Sequence, residues 1–69
     1  MPLTMADIGT ENSIKKVGGA PETRQFLESL GFVLGSHVTV VTKISGNVIV
    51  NVKESRVAIS REMAAKIMI

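Results

Sequence analysis

The 69-residue sequence has no cysteine, no tryptophan and no tyrosine, and holds only two prolines and two phenylalanines. Without cysteine there is no disulfide framework, no zinc ribbon, no iron–sulfur cluster and no thiol nucleophile. The shortage of aromatic rings removes the stacking platforms on which small barrels hold single-stranded nucleic acid. The two rings present, Phe26 and Phe32, belong to one helix and its exit. No apolar run approaches the ~20 residues that span a bilayer, so direct membrane insertion is not expected. The start, Met1 to Asp7, lacks the basic-then-apolar order of a signal peptide, and a cytosolic protein is the expectation. Charge is sparse too: eight Lys and Arg oppose six Asp and Glu, a net +2. That bias is too mild to mark a nucleic-acid binder by itself. The length allows one domain, residues 1–69, with a folded surface of roughly 4,200 Å². A deep substrate cavity would remove packing that so small a core needs.

What the sequence does contain is one amphipathic helix and a long β-branched alternation. Leu3 to Glu11 reads as a lead-in with one helical turn after Thr4, and Ser13 to Val17 as a first strand ended by Gly18-Gly19. Pro21 to Leu30 reads as a helix. Proline suits a first helical position, Glu22 suits the dipole, and Thr23, Phe26, Leu27 and Leu30 share a face. Gly31 stands where a left-handed residue closes a helix, and Phe32 follows as the apolar closing contact. After Gly35 the period becomes two. Val38, Val40, Thr42 and Ile44 fall on one face, and Thr39, Val41 and Lys43 on the other. Ser45-Gly46-Asn47 is a turn into Val48, Val50 and Val52, which makes a β-hairpin. Lys53-Glu54-Ser55 turns into a strand over Arg56 to Ile59. Ser60 can cap a helical turn at Arg61–Ala65, and Lys66 to Ile69 closes the chain as a strand. Five short strands avoid exposed edges by closing on themselves. The expected fold is therefore mainly β: a small five-stranded barrel with one α-helix between strands 1 and 2 and a short helical turn before the last strand. Val41 and Ile49 lie off the main stripes, so cover from the helix or a neighbouring chain is expected on the outer face.

Candidate sites are few. His37 stands alone as an imidazole ligand, beside the thioethers Met1, Met5, Met63 and Met68 and the acids Asp7, Glu11, Glu54 and Glu62. A lasting iron or zinc site normally takes three or four ligands, and one histidine with scattered acids does not provide that by its spacing. The plainer reading of His37 is a surface histidine at a strand start. No nucleophile–base–orienter set is visible, and Gly18-Gly19-Ala20-Pro21 lacks the Gly-Lys-Ser/Thr of a phosphate loop. No catalytic, cofactor or metal residue is therefore assigned, and no cofactor is expected. Lys15 and Lys16, adjacent on a strand, are expected to point to opposite faces and so to make no basic patch alone. Phe32, Val33 and Leu34 are the candidate partner-binding residues. Three consecutive apolar residues between two glycines cannot easily all face inward, and an exposed one suits docking.

The ordered set of residues resembles the FeoA family, small cytosolic proteins of bacterial ferrous iron transport with an SH3-like barrel. The opening matches at Leu3 and Gly9, and the first strand and its turn at Ile14, Val17 and Gly18. An Arg-x-x-Leu-x-x-Leu-Gly helix end matches at Arg24, Leu27, Leu30 and Gly31, followed by Phe32 and Gly35. The meander matches at Val38, Val40, Val41, Gly46, Val48 and Val50, the Arg-x-Ala-Ile strand at Arg56, Ala58 and Ile59, and the close at Ala64, Ile67 and Ile69. Leu34 replaces a frequent proline, and Ser55 a frequent glycine, both in turns. The resemblance implies a non-enzymatic cytosolic accessory of ferrous iron uptake that docks on the FeoB permease, with a general association with transition metals. Its place would be the cytoplasm, at the inner membrane through that partner. With Met1 at its start and no DNA-binding segment, the free-standing form is expected. Two alternatives stay open. One is a metal-responsive regulatory module like the SH3-like domain of metal-dependent repressors. The other is a small-barrel nucleic-acid-binding protein, although no nucleic-acid partner is expected. Self-association into a homo-oligomer also stays open.

Overall fold

A computed structural model describes all residues from Met1 to Ile69. After a 3₁₀ turn at Leu3–Met5 come β1 (Glu11–Ser13), β2 (Lys16–Val17), α1 (Pro21–Ser29), β3 (His37–Ile44), β4 (Asn47–Val52), β5 (Ser55–Ser60), α2 (Arg61–Ala64) and β6 (Ile67–Met68). β1, β3, β4 and β5 form an antiparallel sheet in that order, and β2 pairs with β6 in a second, two-stranded one. The expected mainly β barrel is present with six strands, because the segment expected as one strand over Ser13–Val17 is two. The chain bends at Ile14–Lys15, so β1 joins the large sheet and β2 the small one. Ile14 turns inward at that corner and is buried.

Closure comes from β6. Lys16 and Val17 pair with Met68 and Ile67, the Lys15 amide donates to the Met68 carbonyl at 2.8 Å, and Pro2 bridges to Met68. The Met1 ammonium donates to the Ile69 carbonyl, and the Ile69 amide to the Met1 carbonyl, both at 2.8 Å. The barrel thus ties both chain ends into one seam.

Fourteen residues are buried, all of them apolar, and the surface is 4168 Å². Val38 and Val40 of β3 face Val52 and Val50 of β4, and these four valines line the interior. The alternation then breaks. The register slips by one residue at Val41, so that Thr42 lies opposite Ile49 and Lys43 opposite Val48. A bulge of this kind exchanges the faces of everything beyond it. Ile44, expected beside Val38, is exposed, and Lys43 takes the inner-side position at the barrel rim, where its Nζ donates to the Thr4 carbonyl at 2.9 Å. Val41, the bulged residue, and Ile49 are half-buried.

Helix α1 begins with Pro21 at a first-turn position and Glu22 beside it. Its end is a Schellman closure around Gly31 (φ +108°): the Gly31 amide donates to the Glu28 carbonyl and the Phe32 amide to the Leu27 carbonyl. Of the expected apolar face only Leu27 is fully buried; Leu30 packs partly against the core and Phe26 stays exposed. Ser60 caps α2 as expected, its Oγ accepting from the Met63 amide at 3.2 Å.

Candidate functional site

The loop from Gly31 to Gly35 sends its three apolar residues to three environments. Phe32 is completely buried, which removes it from the candidate partner-binding set: as the closing contact of α1 its ring belongs to the core. Val33 is half-buried. Leu34 is 72% exposed, the largest exposure among the big apolar residues. Hydrogen bonds fix the loop on both sides of Leu34: the Val33 amide donates to Gly31 and the Ser36 amide to Val33. The Gly35 amide donates to the Ile14 carbonyl at 3.0 Å, and the Ile14 amide to the Ser36 carbonyl at 2.9 Å. Leu34 is therefore held at the tip of a turn pinned to the corner between β1 and β2. Ordering this loop costs little when a partner arrives, because the folded state has already fixed it.

Leu34 and Val33 form one end of an open groove of about 720 Å³ between α1 and that corner. Lys15 and Lys16 line its strand side, and Arg24 and Glu28 its helix side. The two lysines thus reach the same groove, against the expectation that they diverge. Alternation of side chains holds only within a continuous strand, and Lys15 sits in the bend between two. No glycine or proline marks that bend, so the sequence carried no local signal for it.

A second, wholly polar hollow of about 380 Å³ lies around His37, with Glu11, Lys53 and Glu54 on its walls. Glu11 Oε1 is 3.7 Å from His37 Nδ1 and Ser13 Oγ is 3.5 Å from the same nitrogen. Both contacts fall on one ring nitrogen. A serine–histidine–carboxylate relay needs nucleophile and carboxylate on opposite nitrogens, so this trio is not one. It does not make a metal cage either. No three His, Asp or Glu side chains converge anywhere in the fold, and a resident zinc or iron site takes three or four ligands. Met63 packs against the core, far in character from a ligand. A third hollow, of about 430 Å³, opens at the barrel rim between Lys43 and Arg61. No helix is long and apolar enough to cross a membrane.

Comparison with known proteins places these features in context. The family model of the FeoA domain matches residues 1–69. An Fe(2+) transport protein A of Methanocaldococcus jannaschii is 38% identical over 68 residues, which cover 99% of this chain and 83% of that protein. The crystal structure of an iron uptake regulatory protein, FeoA, superposes with a TM-score of 0.90 at 26% identity, covering 99% of this chain and 92% of the other. The zinc-complexed FeoA of Stenotrophomonas maltophilia, described as a prokaryotic SH3 domain protein, has a TM-score of 0.86 at 24% identity, covering 99% and 87%. A manganese-dependent transcriptional repressor shares the fold at a TM-score of 0.88 and 18% identity, over 97% of this chain and 39% of its own.

Proposed function

This chain belongs to the FeoA family and is an accessory protein of ferrous iron transport, and from that premise we propose that it acts without chemistry of its own, by docking on the cytosolic side of the FeoB permease. Leu34 would enter an apolar pocket of the partner while Val33 and the groove walls close around the contact. A contact of this kind, about 800 Å² per partner, suits a standard or transient complex. To modulate the permease it needs only to bind one conformational or assembly state better than another. The role places the protein in the cytoplasm, at the inner membrane through its partner.

The observation that carries this reading is Leu34: a large apolar side chain held 72% in water by a loop whose Phe32, Val33, Gly35 and Ser36 amides are all hydrogen-bonded. Core packing gives no reason for that arrangement, and a binding anchor does. The metal-responsive alternative draws on the repressor's shared fold. It is the weaker reading, since His37 and Glu11 form the only close His–carboxylate pair and no third ligand joins them.

Co-purification with the cytosolic part of the permease tests the proposal, comparing wild type with Leu34→Glu. Wild type is expected to bind, and the variant to fold normally and bind at least about tenfold more weakly, since a carboxylate would be buried without a partner. Equal binding by both would remove Leu34 as the anchor. No binding by wild type would remove the docking role.

A further inference from the structure

The groove beside Leu34 also carries a charge pattern, and from it we infer that its occupant is an acidic protein segment bearing an apolar side chain. The inference rests on the docking reading above and specifies the chemistry of what docks. Of the chain's eight Lys and Arg and six Asp and Glu, three and one line this groove, which leaves five of each elsewhere. The whole excess of +2 is therefore concentrated along one depression.

These cations are not used inside the molecule. The single ion pair within 4.0 Å in the fold joins His37 and Glu11, so Lys15, Lys16 and Arg24 have no carboxylate in reach. None of the three side chains makes a hydrogen bond. Arg24 and Glu28 stand at i, i+4 on α1, the spacing at which a helix commonly pairs opposite charges, yet they remain apart. Three free cations along a trough about 720 Å³ in volume, ending at an exposed leucine, complement a strand or helix turn that presents carboxylates next to one apolar residue. The concave shape favours such a segment over a flat anionic bilayer, which would meet Leu34 while leaving the groove floor unfilled. Trp and Tyr are absent, Phe32 is buried and the exposed Phe26 does not line the groove, so no aromatic ring offers a nucleic acid a stacking surface here.

The test uses the full isotope-labelled chain and a synthetic peptide of glutamates flanking a central leucine, with a lysine-for-glutamate peptide as control. The acidic peptide is expected to shift the amides of Lys15, Lys16, Arg24 and Leu34, and the basic one to shift none. Lys16→Glu should weaken binding about tenfold, and Glu28→Lys, which removes the one opposing charge, should tighten it severalfold; both differences should shrink at high salt. A gain in Glu28→Lys cannot come from misfolding. Equal binding of the basic peptide, no gain in Glu28→Lys, or binding only to phosphatidylglycerol vesicles would overturn the inference. The same variants are also measured against the cytosolic part of the permease. Binding there that ignores all charge changes would keep the docking role and refute the acidic occupant. Capture of the acidic peptide without binding to the permease would do the reverse.

Discussion

Phe32 and Leu34 stand two positions apart, one with no exposed surface and the other with 72%. Their substitutions should therefore separate stability from function. Phe32→Ala removes a ring enclosed by the core and is expected to destabilise the fold by about 3–5 kcal/mol. Leu34→Ser removes almost nothing the fold uses and should leave stability within about 0.5 kcal/mol. Urea denaturation of the two variants checks both. The sequence identified this tripeptide and the closing role of Phe32, because the Gly-then-apolar ending of a helix is a local pattern. It could not choose which neighbour stays in water. That choice is made by hydrogen bonds between Gly35, Ser36 and Ile14, which are distant along the chain. The divergence expected of Lys15 and Lys16 failed for the same reason, since the bend that unites them is a tertiary feature.

At the level of elements, the two hairpin turns differ in quality. The β3–β4 turn uses Gly46 at φ +82°, whereas Lys53 and Glu54, between β4 and β5, hold φ of +48° and +63° without glycine. Two consecutive positive φ values are the geometry of a type I′ turn, for which Asn-Gly is the favoured pair. Glu54→Gly is expected to stabilise the protein by about 1 kcal/mol, because the left-handed penalty of a side chain exceeds the added freedom of the unfolded chain. Lys53 is best left in place, since its methylenes lie near Gly31. Ser60→Ala should cost about 1 kcal/mol through loss of the bond from the Met63 amide. Thermal melts of the two variants should move in opposite directions. The helix, the hairpin and the capped turn were legible because each has its own start and stop residues. The bulge at Val41 was not: in a run of Thr, Val, Val, Thr an extra residue leaves the apparent alternation intact.

For the molecule as a whole, the important feature is the seam that β6 makes with β2 and with the Met1–Pro2 backbone. Ile67 is fully buried on this strand. A chain ending at Lys66 would lose that side chain, every partner of β2 and the tie to the first residues. With so small a core it is expected to lose cooperative unfolding, with weak dispersion of amide resonances as the readout. The short strands made closure foreseeable, since open edges are a hazard to so small a sheet. Closure also leaves the outside of the barrel as the surface on which the proposed docking would take place. The most direct measurement is therefore amide shift mapping of the labelled chain during titration with the cytosolic part of the FeoB permease. The account predicts changes confined to Lys15–Val17, Arg24–Glu28 and Val33–Gly35. Changes centred on the β3–β5 face around Ile44 and Ile49, or none at saturating partner, would contradict it.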